Sequence, residues 1–70
     1  MSEQEDMIKT IIKLREEKGV SQRQLAALTG IKQPAIARLE SGRSAPSITT
    51  IKKLLAPLGY TLTISKLSDE

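Results

Sequence analysis

Gln33 and Arg38 are the side chains best equipped for directional chemistry in a chain of 70 residues that has neither histidine nor cysteine. A glutamine amide carries a donor and an acceptor side by side and matches the adenine edge. A guanidinium fork matches the two acceptors of guanine, and each such pair discriminates by about 1–3 kcal/mol. Pro34 and Ala37 lie between them as small apolar groups suited to a thymine methyl. Catalysis finds less support. Without imidazole or thiol, the commonest bases and nucleophiles are missing. Glu16 and Glu17 are adjacent and point apart on a helix, and no carboxylate pair stands at i,i+4 spacing near a predicted cleft. There is no glycine-rich phosphate loop. The expectation is a protein that is not an enzyme and uses no cofactor and no metal. RNA recognition by base stacking is poorly served, since Tyr60 is the sole aromatic residue.

Such readers need a rigid carrier, and residues 22–42, QRQLAALTGIKQPAIARLESG, supply one. Ser21 opens a helix, with Gln24 three residues on to complete a capping box. Leu25, Ala26 and Leu28 are its predicted buried face. Gly30 ends it in a turn that needs positive φ, and Ile31 packs behind that turn. The next helix begins near Gln33, with Pro34 in its first turn, where a missing N–H costs nothing. Ile36 and Leu39 face inward and Gly42 ends the helix. Ala26 is the small residue where the two helices touch. Leu25, Ala26, Gly30, Ile31, Ile36 and Leu39 each have a separate reason to be there, and together they specify a helix-turn-helix, whose second helix enters the DNA major groove. With the core positions removed, that helix leaves Gln33, Pro34, Ala37, Arg38 and Ser41 outward. Gln33 and Arg38 are five apart, not strictly on one face, yet both are reachable when the helix enters N-terminus first.

Phosphate contacts are expected from different residues. Gln22 stands at a helix amino end, where free N–H groups attract anions. Lys32 precedes the outward helix; Ser41, Arg43 and Ser44 follow along it and beyond it; Ser47 caps the next helix. Arg23 suits a phosphate contact or plain solubility equally well. Lys52 and Lys53 read as solvated helix charges. Residues 18–53 hold seven cations and a single acid, Glu40, while most other acids lie toward the two ends. A basic middle with acidic flanks suits a polyanion on one face.

The remaining elements complete a small all-α domain. A first helix over about residues 5–18 places Met7, Ile11 and Leu14 at helical spacing, widened by Ile8 and Ile12. Ser47 caps a fourth helix whose apolar face is Ile48, Ile51, Leu54, Leu55 and Leu58, ended by Pro57 and Gly59. The period then changes. Tyr60, Leu62 and Ile64 alternate with Thr61, Thr63 and Ser65, a strand pattern. A lone strand needs an edge to pair with, and the simplest edge is the same strand of a second copy. A domain this small also gains from an enlarged core. The predicted architecture is therefore four to five helices with a helix-turn-helix, plus one short C-terminal strand pairing across a dimer through Tyr60, Leu62 and Ile64. The corresponding division is 1–59 for DNA binding, 60–66 for dimerisation and 67–70 as tail. The acidic first six residues do not read as a signal peptide, and no apolar run approaches the ~20 residues of a membrane span.

The motifs SQRQLAALTG and QPAIARLESGR make residues 21–58 resemble the lambda-repressor/Cro-type helix-turn-helix family, also called the XRE family; the likeness extends over about 7–58. That resemblance implies a lambda-repressor-like bundle and a dimeric transcriptional regulator on a palindromic operator. It implies that Gln33 and Arg38 occupy base-reading positions, and that Gln22 bonds both a phosphate and the first residue of the recognition helix. It also implies a structural ion pair between Arg15 and Glu40, making Glu40 structural rather than functional. Lys32 departs from the family, which commonly has Ser or Thr at this cap. The ending LAPLGYTLTISKL departs from the fifth helix of many members and resembles small antitoxins. The expected function is a DNA-binding regulator, a repressor; the alternative is an antitoxin-type module that neutralises a partner toxin, with autoregulatory DNA binding secondary. The expected partners are double-stranded operator DNA, a second copy and a toxin protein, with no membrane. The expected compartment is the cytoplasm, the protein being bacterial or encoded by a phage or plasmid, and the absence of cysteine suits that reducing space.

Overall fold

Leu25, Ile36, Leu54 and Leu58 are the most deeply buried side chains, and each comes from a different element, so the core is where those elements meet. The structure, a computed structural model, describes residues 3–63, with side chains from residue 6 onward. The described residues form four helices: α1 Glu3–Glu17, α2 Gln22–Thr29, α3 Gln33–Glu40 and α4 Ile48–Leu55, the last followed by a 3₁₀ turn, Ala56–Leu58. Ile8 and Ile11 of α1 and Leu39, Ile51 and Leu55 close the core, with Met7, Ile12, Leu14, Val20, Ala26, Ile31 and Leu62 packed around it.

Local sequence sets each helix end. α1 finishes with Gly19 N–H donating to Glu16 O and Val20 N–H to Arg15 O, the paired bonds of a Schellman motif. The chain re-enters a helix at once through the Ser21 capping box: the Gln24 N–H donates to Ser21 Oγ at 3.0 Å, and the Ser21 N–H to Gln24 Oε1 at 2.7 Å. Gly30 caps α2 at φ 78°, a conformation that a Cβ would strain. Thr29 holds the turn from inside, its hydroxyl donating to Leu25 O and accepting from the Ile31 N–H. α4 is capped by Ser47 Oγ, which accepts from the Thr50 N–H.

Four expectations differ from the structure. Leu28 is 61% exposed, not part of the α2 buried face. α2 packs through Gln22, Leu25, Ala26 and Thr29, and Leu28 lies about 110° from the middle of that stripe at 3.6 residues per turn. Ile48 is 67% exposed; it is the first residue of α4, nearly a turn ahead of Ile51, the first buried position of that helix. Leu58 is buried as expected, but it belongs to the 3₁₀ turn that Pro57 imposes and not to α4. No strand is assigned over 60–63. Tyr60 is instead tied back through its N–H to Leu55 O, and Leu62 packs on the core of its own chain. Ile64 lies outside the described residues. Among the described residues, no helix is long and apolar enough to cross a membrane.

Candidate nucleic-acid interface

The α2–α3 corner presents a chain of side-chain hydrogen bonds that runs from α1 to the first residue of α3. Arg15, in the last turn of α1, donates through Nη1 to Val20 O at 2.8 Å, which the Schellman turn has brought alongside. Its Nε and Nη2 donate to the two oxygens of Glu40 at 2.8 and 2.9 Å, a bidentate pair whose side chains are each 11% exposed. The hydrogen bond to Glu40, opposed by burial and helped by the charges of Glu40 and Glu16, holds the Arg15 guanidinium above its ordinary pKa. The same Glu40 Oε1 accepts from Gln22 Nε2 at 2.8 Å. Gln22 Oε1 in turn accepts from Gln33 Nε2 at 2.9 Å.

Chemistry dictates the direction of this chain. An ionised carboxylate only accepts, so Gln22 must turn its NH₂ to Glu40 and its oxygen to Gln33. Gln33 must then face Gln22 with nitrogen. An amide NH₂ has two protons, and the second, with Oε1, remains as the donor–acceptor pair that a base edge requires.

The other candidate readers sit on α3 as follows. Pro34 and Arg38 are exposed, and Ala37 is half-buried. Lys32 is the N-cap residue of α3 and makes no side-chain cap bond, as its departure from Ser or Thr implied. Its carbonyl instead accepts from the N–H groups of Ala35 and Ile36. Pro34 has no N–H to satisfy, so the unusual cap leaves little of the helix end unpaired.

Of the residues read as phosphate contacts, Lys32, Ser44 and Ser47 line one hollow of about 650 Å³ between α3 and the loop to α4, together with Pro34, Arg38 and Thr50. Arg43 is exposed just beyond α3, where Gly42 at φ 80° lets its N–H turn back to Arg38 O. Two hydroxyls are already engaged. Ser41 Oγ donates to Arg38 O, and Ser47 Oγ donates to Thr50 Oγ1 while capping α4. Each must redirect its one proton to meet a phosphate. Arg23 is exposed on α2 and does not line the hollow. Tyr60 and Leu62 line a second, apolar hollow of about 500 Å³ with Met7, Ile11, Leu14 and Leu55. Sequence reasoning missed Thr29 and Thr50 as supports, and it missed the Gln22–Glu40 bond; a link across 18 residues has no local signal. Among the described residues, no group of three or more acidic, histidine or cysteine side chains is placed to hold a metal ion.

A helix-turn-helix family model matches residues 11–65, spanning the corner, the loop and α4. The chain belongs to the helix-turn-helix family. An uncharacterized HTH-type transcriptional regulator of Haemophilus influenzae is 53% identical over 58 residues, covering 83% of this chain and 59% of the relative. The HTH-type transcriptional regulator PuuR of Escherichia coli is 37% identical over 54 residues, covering 77% of this chain and 29% of PuuR. This chain thus spans only part of the length of either regulator. Among solved structures, a toxin–antitoxin module from Streptococcus pneumoniae superposes with a TM-score of 0.74 at 40% identity, covering 93% of this chain and 71% of the other. The likeness to lambda-repressor/Cro-type proteins expected from the motifs agrees with these relatives.

Proposed function

We propose that this helix-turn-helix chain is a sequence-specific DNA-binding transcriptional regulator, a repressor that acts by occupying a palindromic operator as a dimer. The observation that carries the reading is the bonded chain Arg15–Glu40–Gln22–Gln33, which holds a base-matching amide at the start of α3, on the same helix as the exposed Arg38. Gln33, Pro34, Ala37 and Arg38 read bases. Gln22, Arg23, Lys32, Ser41, Arg43, Ser44 and Ser47 hold phosphates and set register without sequence information. The regulators to which the chain is similar support this use of the corner. Residues 1–59 form the DNA-binding unit. Residues 60–66 form a strand that pairs with its copy across a two-fold axis through Tyr60, Leu62 and Ile64, and 67–70 are tail. The exposed Tyr60 and the apolar hollow beside it support this dimer surface. Two α3 helices would then stand about 34–36 Å apart, one turn of DNA.

Binding-site selection from random duplex DNA tests the reading. A palindrome with half-sites one helical turn apart supports it. A monomeric protein with no preference among duplexes at physiological ionic strength ends it.

The likeness to a toxin–antitoxin module favours a second reading, in which the chain neutralises a partner toxin and DNA binding serves autoregulation. A gel shift on the protein's own promoter, with and without the product of the neighbouring gene, separates the two. A toxin-neutralising protein without a shift favours the second reading alone.

A further inference from the structure

We propose that Glu40 is a positioning residue for base recognition, setting through Gln22 which end of the Gln33 amide meets the base. The proposal rests on the DNA-binding reading above and extends it to a residue whose family resemblance assigns it only an ion pair.

Hydrogen-bond polarity fixes the orientation of the amides. An amide group is nearly symmetric in shape, so packing alone barely distinguishes its two orientations. What distinguishes them here is that Glu40 offers oxygen and nothing else. Its Oε1 serves Arg15 and Gln22 at 2.9 and 2.8 Å. The order N-to-O then propagates through Gln22 to Gln33 at 2.9 Å. Gln22 and Gln33 are both half-buried, so water competes only partly for these bonds. The outward order of donor and acceptor on Gln33 decides whether the adenine edge, which needs an acceptor for N6 and a donor for N7, is matched. Arg15 steadies the carboxylate but does not set the order, because a carboxylate accepts whether or not Arg15 is present.

Stability and base preference therefore separate between two variants. R15M removes the guanidinium and leaves Glu40 an acceptor; it loses stability and keeps the preference. R15M combined with E40M replaces the whole pair by apolar side chains, an exchange that is often neutral or stabilising. That double variant keeps its fold but frees both amides to rotate. The test measures duplex binding with each of the four base pairs at the Gln33 position of the selected site, for the wild type and both variants. In parallel, NMR follows the side-chain NH₂ resonances of Gln22 and Gln33 in the free proteins. The expected result is about tenfold preference at that position in the wild type and in R15M, falling to about twofold in the double variant, with other positions unchanged. The amide resonances should be dispersed in the first two proteins and collapse toward random-coil values in the third. A double variant that is folded, keeps its preference and keeps dispersed resonances overturns the proposal. Loss of preference in R15M equal to that in the double variant also overturns it, because Arg15 would then be setting the order. If the wild type shows no base preference, the DNA-binding reading fails and the recognition role falls with it. The resonances alone then show whether Glu40 orders the amides.

Discussion

Replacing Arg15 by methionine removes three hydrogen bonds in one step, those to Val20 O and to both oxygens of Glu40. The methionine keeps much of the apolar stem, so the loss is mainly electrostatic. Glu40 is left with Gln22 as its hydrogen-bond partner, in a site where its side chain is 11% exposed. Removing one partner of a fully buried pair costs about 3–5 kcal/mol, and an exposed pair contributes about 0.2–1 kcal/mol. At this exposure the cost falls nearer the buried limit, about 2–4 kcal/mol. Folded domains hold about 0.05–0.15 kcal/mol per residue, or about 4–10 kcal/mol for a chain of this size. The variant should therefore melt about 8–32 °C lower, at about 4–8 °C per kcal/mol. Urea titration followed by circular dichroism gives the free energy directly. The Arg15 pKa is raised in the folded state, so its contribution is complete below the unfolded value and is lost only as pH rises through the still higher folded value. The gap between wild type and variant should accordingly be flat across about pH 6–9, within which Arg15 stays charged. A gap under about 0.5 kcal/mol would mean that the pair behaves as a surface pair and that Glu40 does not need Arg15.

Leu25, fully buried where α2 meets the core, should cost about 3–5 kcal/mol when changed to alanine, lowering the calorimetric midpoint by more than about 10 °C. Ser21→Ala removes one bond of the α2 capping box and should cost about 1 kcal/mol in a urea melt, with no change in base preference. Arg43→Ala should weaken binding equally on all duplexes and reduce the log–log salt slope by about one, as measured by fluorescence anisotropy at several salt concentrations.

The parts of the fold legible in the sequence are those fixed by neighbours a few residues apart. The Ser21 box, the Gly30 turn, Pro34 in the first turn of α3 and the Ser47 cap each depend on local backbone bonds, and each stands as read. The buried faces were legible where the helical stripe was unambiguous, as for Ile11, Ile36 and Leu39. Leu28 and Ile48 misled because apolar character does not reveal whether a neighbouring element covers a flank or a helix end. The Arg15–Glu40 pair came from family resemblance, while the bond from Gln22 to Glu40 had no signal, because it depends on the angle at which α2 crosses α3. The strand expected over 60–66 depends on a partner edge, and one chain by itself offers none; within the described part, Tyr60 and Leu62 turn back toward their own helices.

Whether α3 reads base edges is decided by measuring how Arg38→Ala changes binding to duplexes varied one base pair at a time across the selected operator. If Arg38 reads a base, preference relaxes at one base pair in each half-site and is retained elsewhere. A uniform loss of affinity at every position, with the sequence preference intact, would contradict it and make Arg38 a phosphate contact.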